Sequence, residues 1–371
     1  MKKSILILTA ILMMAGSLSA AQVTKEFSRG LTTEISIDGA FRVVLSDKYR
    51  NNVKIVYDDA LANYIATEIK GKQLKISYER GANKTFKKNN VDLPTVYIDR
   101  NFVSYLFKDA VDATSTEVIE GAELKLRIQD NSALRARIAV GKLDMGLSDA
   151  AIYEGEITAR EAKVALSGSA TATLTGSTTK LSVTAQGSST FNGESLINAS
   201  SAAVSASGSS IVAFCGKGSV KVNCSSSSAV TADVNCKALN VNAGGSSTVT
   251  LKGSSKTLKL SASGSSRIDQ ANYQNDMSAK VSVSGTANAT VTSRGAMNIT
   301  ASGAATLEAQ CGGNLSVKAS GTSTVIHSRD AKLVKLTLKD QATVKAEEEK
   351  QPAVNVYTSP YGNTTPQYMQ R

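Results

Sequence analysis

The chain has 371 residues and a formal net charge of +11. It contains no Trp, few aromatic residues and a single histidine, His327. A metal site with several His ligands is therefore excluded, and the four cysteines do not have the spacing of a zinc motif. Nucleic-acid-binding proteins combine basic patches with aromatic side chains that stack on bases, so this composition argues against a nucleic-acid partner.

Residues 1–21 have the pattern of a secretory signal peptide. Lys2 and Lys3 precede an apolar run at residues 5–15, and the small residues Ser19 and Ala21 fit cleavage after Ala21. The run is too short for a permanent membrane helix, and no later segment is apolar enough to cross a bilayer. We therefore expect an exported protein without a transmembrane segment, located in the periplasm, at the cell surface or outside the cell.

Residues 22–102 are predicted to form a β-rich N-terminal cap that includes the first coils of the fold. Alternating apolar residues indicate strands at 35–45, 53–57, 74–78 and 96–99. The segment Asp59–Ile69 is interpreted as one short helix. Most of the aromatic residues lie in this cap and in the C-terminal tail, as expected if the cap closes one end of a repeat protein.

Residues 103–346 repeat one short pattern about every nineteen residues. Apolar residues occur six, four and two positions before each turn, as in Leu258, Leu260 and Ala262, with polar residues between them. Alternation of this kind places the apolar set in the core and the polar set in water. The fixed period predicts an all-β fold, a single-stranded β-solenoid with about 13 recognisable coils of 18–21 residues.

Each turn is expected to require positive φ, because the chain bends sharply there between two strands. Glycine adopts this conformation without strain, whereas Asp and Asn tolerate it less well. Asp or Ser stands at this position in the other coils, at Asp109, Asp130, Asp149, Ser226 and Asp340. The predicted structural turn glycines are Gly168, Gly187, Gly208, Gly245, Gly264, Gly285, Gly303 and Gly321.

Four lysines fall at the same outward position in different repeats: Lys221, Lys259, Lys280 and Lys335. They predict a broken basic stripe. Outward lysines also protect strands against aggregation, and we favour that simpler interpretation of the pattern. After the last repeat, the acidic start and the Pro- and Gly-containing composition of residues 347–371 predict a flexible C-terminal tail.

The order of these segments resembles that of a known family. A signal peptide is followed by Ile35-Ser-Ile-Asp-Gly-Ala-Phe-Arg-Val43, by the Gly-x-Gln-Leu-x-Ile strand at 71–76, and by serial Ala-Ser-Gly-Ser turns. This order is similar to that of the auto-transporter adhesin head GIN domain family, a domain of unknown function in exported proteins of Bacteroidetes. The family's second corner glycine is generally Ser here, as in Gly187-Ser188-Ser189. The resemblance, over about residues 27–346, implies a right-handed parallel β-helix and, from fold analogy, adhesion.

Asp109, Asp130 and Asp149 are the strongest catalytic candidates, because they lie at one corner on three consecutive coils. Polysaccharide lyases and hydrolases with parallel β-helix folds place acids on one face. Two carboxylates about 5 Å apart would suit a retaining glycosidase or Ca²⁺ binding. The alternative, which we favour, is that Asp tolerates the corner conformation and caps its own turn, since three stacked like charges are costly. We expect no cofactor and no metal.

Cys215 and Cys236 lie eleven and nine residues before their next turns, so we expect them to stack on adjacent coils. Neighbouring strands are close enough for a disulfide, and an exported protein can keep one. Buried free thiols are the alternative, and the sequence leaves both open.

The sequence therefore predicts an exported, non-enzymatic β-solenoid. We expect an adhesin-like binding or structural module of the bacterial cell envelope, with glycans or other cell-surface components as partners. The alternative function is a polysaccharide lyase or glycoside hydrolase that uses the aspartate column. The sequence does not determine the oligomeric state.

Overall fold

The computed structural model describes residues 22–79, 81–82 and 91–348. The predicted signal peptide and residues 349–371 of the predicted tail lie outside this range. Among the described residues, no helix has the length and the apolar composition that a membrane crossing requires.

The described residues form 27 hydrogen-bonded strands joined in one sheet. The N-terminal strands are β1 Gln22–Ser28, β2 Glu34–Asp38, β3 Arg42–Leu45, β4 Asn52–Asp58, β5 Ile65–Lys70, β6 Gln73–Tyr78 and β7 Thr95–Ile98. The strands of the repeats are β8 Ser104–Lys108, β9 Asp112–Ser115, β10 Ile119–Ile128, β11 Ala133–Arg135, β12 Ile138–Leu147, β13 Ile152–Leu166, β14 Thr171–Ala185, β15 Thr190–Gly193, β16 Leu196–Ala206, β17 Ile211–Cys224, β18 Ala229–Ala243, β19 Thr248–Ala262, β20 Arg267–Val283, β21 Asn288–Ser293, β22 Ala296–Ala301, β23 Thr306–Cys311, β24 Asn314–Ala319, β25 Thr324–His327, β26 Lys332–Leu338 and β27 Thr343–Ala346.

From β8 onwards the chain winds as a parallel β-solenoid, which confirms the predicted fold class. Leu258 lies between Leu239 of the preceding coil and Ala279 of the following one. Each coil has a first side just before the corner, a second side just after it, and a third side that leads to the next coil. The inward side chains of all coils form one continuous core, because alternation turns the same columns inward in every coil.

The thirteen corners share one backbone conformation. Their φ values lie between +59° and +74°, at the glycines as well as at the Asp and Ser corners. Successive corners are joined by a hydrogen bond, for example from the Ser265 N–H to the Gly245 carbonyl at 2.8 Å. A Cβ at Gly264 would come within 2.8 Å of that same carbonyl oxygen. Glycine is therefore favoured twice, by the positive φ and by the close approach of the coils.

The N-terminal strands close one end of the solenoid. The coil made by β2 and β3 lies between the coil of β6 and β7 and the coil of β8 and β9. The chain therefore forms the middle coil (β2 and β3) first and then the outer coil (β6 and β7). It next passes back over the middle coil to form the coil of β8 and β9. β1, β4 and β5 then pair antiparallel at the outer edge. These antiparallel strands cover the parallel stack at this end.

A buried ion pair ties the cap to the first coils. Arg29 Nη2 lies 3.0 Å from Asp99 Oδ2, and the Asp99 side chain is almost fully buried. The Asn101 N–H donates to the second oxygen of Asp99 at 3.1 Å. The Arg29 guanidinium also lies over the Phe102 ring, 4.7 Å from its centroid. Because both charges are partnered, this polar pair is tolerated inside the cap.

The helix predicted at Asp59–Ile69 is wrong. The structure has a single 3₁₀ turn at Asp59–Leu61, followed by β5. The Asp58 carboxylate accepts a hydrogen bond from the Ala60 N–H at 2.9 Å, which starts the turn. β5 then pairs antiparallel with β6. This pairing satisfies the backbone groups of β5 and outweighs the local helical pattern.

At the C-terminal end the last coil is uncovered within the described residues. Leu333, Leu336 and Leu338 stack on the fully buried column of β24. They are nevertheless 39%, 44% and 46% exposed, because no described coil follows them. The apolar core is therefore open to solvent at this end of the described structure.

Candidate functional site

The three predicted catalytic aspartates stack at consecutive corners, but their carboxylates serve local hydrogen bonds. Asp130 Oδ2 accepts a hydrogen bond from the Asp109 N–H at 3.2 Å. Ser148 Oγ donates to Asp149 Oδ2 at 2.9 Å. At the far end of the solenoid, Asp340 Oδ2 accepts from the N–H of the preceding corner at 3.0 Å. Because an isolated corner Asp makes the same contact as Asp130, this contact is a property of the turn and requires no catalytic role.

A fourth carboxylate, Asp38, lies beside this column and was missed by sequence reasoning. Asp38 ends β2, in register with Lys108 of β8. Partial burial, the hydrogen bond to Asp38 and the negative charges of Asp38 and Asp130 raise the pKa of Asp109. The repeat period could not place Asp38 here, because β2 and β8 are neighbours in space although five strands and two 3₁₀ turns separate them in sequence.

The described residues include no group of three or more His, Cys, Asp or Glu side chains placed to hold a metal ion. His327 is the last residue of β25, where it lies in register with Ala309. Its Nδ1 lies 2.9 Å from the Ser328 carbonyl oxygen, a local contact.

A shallow concavity of about 590 Å³ lies on the third side, and its lining includes Asn235, Lys237, Lys256 and Asp276. Asp276 is the one carboxylate among its lining residues, which include no His. Glycoside hydrolysis of the usual kind needs two carboxylates across the scissile bond. This concavity does not supply them.

The predicted stacking of Cys215 on Cys236 is wrong, and both are free thiols. Cys215 points outward in register with Asp233, whereas Cys236 points inward in register with Gly218. The two cysteines lie three positions apart along the paired strands, and the bulge after Gly218 accounts for one of these positions. Cys215 donates to the Glu194 carbonyl at 2.8 Å. Burial raises the pKa of Cys236 to about 11, which keeps it a neutral thiol.

The first side of the last eight coils forms a long polar surface, which we call the polar face. It comprises the outward residues of the strands that end at the corners from Gly208 to Asp340. Ser, Thr, Asn, Ala and Gly occupy most of these positions, and none is Asp, Glu, Arg or aromatic. Seven of the positions are lysines: Lys221, Lys259, Lys280, Lys318, Lys332, Lys335 and Lys339.

The strand register aligns these residues in columns along the solenoid. Lys221, Asn240, Lys259 and Lys280 follow one another on four consecutive coils. After two intervening coils, Lys335 occupies the same column. A neighbouring column contains Asn, Ser, Thr and Lys318, and begins with a hydrogen bond of 2.9 Å between two asparagine side chains. The predicted basic stripe is thus part of a continuous polar surface.

Acidic residues are segregated away from the polar face. Residues 201–340 contain fourteen Lys or Arg and six Asp or Glu. All six acids lie on the second and third sides, in a turn or at the last corner: Asp233, Asp269, Asp276, Glu308, Asp330 and Asp340. Within the described residues, no lysine of the polar face forms an ion pair, whereas Arg127 and Asp144 pair at 2.8 Å on the first side of earlier coils.

Fold and surface together define a parallel β-solenoid with an extended polar face. The family model described as "Putative auto-transporter adhesin, head GIN domain" matches residues 33–231 and 215–313. The chain belongs to this family, as its sequence pattern indicates. No curated protein matches the chain in sequence.

The similar solved structures have low sequence identity to this chain. The crystal structure of a "putative adhesin" from Parabacteroides distasonis ATCC 8503 is 18% identical, with a TM-score of 0.55 over 62% of this chain and 97% of that one. A "putative adhesin" from Bacteroides fragilis NCTC 9343 is 13% identical, with a TM-score of 0.44 over 63% and 98% of the two chains. The first of these similarities supports the fold alone.

Proposed function

We propose that this protein is an exported, non-enzymatic, adhesin-like binding module of the bacterial cell envelope, and that the polar face is its ligand-binding surface. The observation that carries the proposal is the polar face itself. Its eight coils give seven steps of about 4.8 Å, or roughly 34 Å of aligned hydrogen-bonding side chains. A surface of this shape suits many weak polar contacts with an extended ligand such as a glycan, and membership of an adhesin-like family supports the same role.

A glycan array with the mature protein tests the binding role. Two tryptophan variants test the location: Ser282→Trp places a bulky side chain at the centre of the polar face, and Thr250→Trp places one at an equally regular strand position on the second side. We expect array binding that Ser282→Trp removes and Thr250→Trp preserves. A blank array, or equal binding by both variants, would contradict the proposal.

A polysaccharide lyase or glycoside hydrolase is the competing function, and the stacked aspartates are the observation in its favour. Incubation with acidic and neutral polysaccharides, followed by assays for reducing ends and unsaturated products, separates the two. We expect no turnover. Turnover that Asp130→Asn abolishes would replace the binding role with catalysis.

A further inference from the structure

The structure assigns one class of ligand to the polar face. We infer that it binds a linear acidic polysaccharide, laid along the solenoid axis, whose carboxylate or sulfate groups meet the unpaired lysines. This inference rests on the proposed binding function and specifies its ligand chemistry.

The spacing of the lysines fits a ligand with charges along its length. In the central column, Lys221 and Lys259 are two coils apart, Lys280 is one coil further, and Lys335 three coils beyond. With a rise of about 4.8 Å per coil, the steps are roughly 10, 5 and 14 Å. The lysine side chain is flexible and carries a point charge. It can therefore reach anionic groups whose spacing along the ligand differs from the spacing of the coils.

The absence of acidic residues from the polar face makes this charge available. Seven lysines that form no ion pair within the described residues produce a positive potential that attracts polyanions and favours fast association. The second side behaves differently, since Arg267 and Asp269 pair there at 2.6 Å. The polar face is thus the side of these coils that carries lysines without acidic residues among them.

Protection of sheet edges does not account for these lysines. Edge strands need charged side chains because their backbone groups are unpaired. The strand that carries Lys259 is interior, with β18 on one flank and β20 on the other. Lys280 also lies on a strand paired on both flanks. Their regular placement therefore needs another explanation, and a ligand supplies it.

The neutral residues between the lysines favour a carbohydrate over a nucleic acid. Ser, Thr and Asn side chains donate and accept hydrogen bonds, which suits the hydroxyl groups of sugars. Single-stranded nucleic acids are usually held by aromatic side chains that stack on bases, with Arg at the phosphates. The polar face has neither.

Two polysaccharides with one backbone provide the test. Polygalacturonate carries a carboxylate on each sugar, and its fully methyl-esterified form carries none. Heparin serves as the sulfated arm and single-stranded DNA as the non-carbohydrate polyanion. Binding of each to the protein is measured by biolayer interferometry at low ionic strength.

The matched variants change the charge equally on different sides. Lys221→Glu/Lys259→Glu/Lys280→Glu reverses three charges on the polar face, and Lys217→Glu/Lys237→Glu/Lys252→Glu reverses three on the other sides. Circular dichroism and thermal melts first test whether both triple variants fold. We expect polygalacturonate or heparin to bind, with at least a tenfold loss in the first variant and less than a twofold change in the second.

Four results would overturn the inference. Equal binding of the esterified and acidic polymers would show that the charge of the polar face is not needed for binding. An equal loss of affinity in both triple variants would show the same. Tighter binding of DNA than of both acidic polysaccharides would reassign the ligand. Binding to neutral glycans on the array, with none to either acidic polymer, would overturn the acidic ligand while leaving the binding function in place. A blank array would remove the binding function itself.

Discussion

Ser247 and Ser189 occupy the same buried corner position on different coils, but only Ser247 has a hydrogen-bond partner. Each lies two residues after a corner glycine and is fully buried. Ser247 Oγ donates to the Cys224 carbonyl of the preceding coil at 3.2 Å. Ser189 Oγ is buried without a partner in the described structure. The two side chains therefore contribute differently to stability although the repeat makes them equivalent.

Replacing these serines by alanine should separate the two cases. Ser247→Ala removes a buried hydrogen bond and should lower the free energy of unfolding by about 1 kcal/mol. Ser189→Ala removes an unsatisfied hydroxyl and should leave stability unchanged or raise it. Urea denaturation measures both, and an equal loss in the two variants would contradict this account.

Gly253 and Gly244 provide a second matched pair, which tests close contact between coils. Gly253 has a φ of +88°, and a Cβ there would overlap the Val234 carbonyl of the preceding coil. A Cβ at Gly244 would meet nothing closer than Ser263 Oγ at 3.5 Å. Gly253→Ala should therefore destabilise the protein by about 2 kcal/mol or more, whereas Gly244→Ala should change stability by less than about 0.5 kcal/mol. Comparable thermal melting temperatures would refute the close contact.

Leu315 and Leu333 are register partners that differ in exposure. Leu315 is fully buried, and Leu333 is 39% exposed on the last described coil. Leu315→Ala should cost about 2–5 kcal/mol, because it leaves a cavity in the continuous core. Leu333→Ala should cost clearly less, since part of its apolar surface is already in water. If Leu333→Ala proved as harmful in urea denaturation as Leu315→Ala, this leucine would be covered in solution.

Asp109 gives a pH prediction. Its pKa is raised in the folded protein by burial, by the Asp38 hydrogen bond and by the charges of Asp38 and Asp130. A carboxyl with a raised pKa binds its proton more tightly in the folded state, so its contribution favours folding at low pH and is lost as pH rises through the folded pKa. Asp109→Asn should therefore be the more stable form at pH 7, and the difference should shrink as pH falls towards 3.8.

The size of this effect is small, because exposed carboxylates are screened by water. We expect Asp109→Asn to raise the free energy of unfolding by about 0.5 kcal/mol or less at pH 7. Thermal melts across the pH range measure this difference. Asp149→Asn serves as the control, since its carboxylate accepts from Ser148 and lies two coils further than Asp109 from Asp38. If Asp149→Asn stabilised the protein as much as Asp109→Asn, the effect would come from replacing Asp at any corner. It would then not come from the proximity of Asp38 to Asp109.

Sequence periodicity predicted the fold because the core columns and corners follow local rules. The corners show positive φ wherever the period placed one, including the unusual Ser226. Features that depend on register between distant segments were not accessible. Asp38 meets Asp109 through a coil inserted out of sequence order, and a bulge after Gly218 adds one position to the offset between Cys215 and Cys236, which turns them to opposite faces of the sheet.

The polar face could be predicted from the sequence only in part. The period already aligned several of its lysines, since they share one position in the repeat. The segregation of all nearby acids became visible only when the three sides of each coil were assigned. A count of charges along the chain shows an excess of basic residues, but it does not show on which side they lie.

The salt dependence of polygalacturonate binding tests the central claim most directly. Lysines that neutralise a polyanion release its counterions, so affinity falls with rising salt in proportion to the number of charges engaged. Between about 50 and 200 mM salt, we expect the wild-type affinity to fall about tenfold or more. The slope should be shallower for Lys221→Gln/Lys259→Gln/Lys280→Gln and unchanged for Lys217→Gln/Lys237→Gln/Lys252→Gln. Identical slopes for all three proteins would contradict the assignment of the polar face as the binding surface.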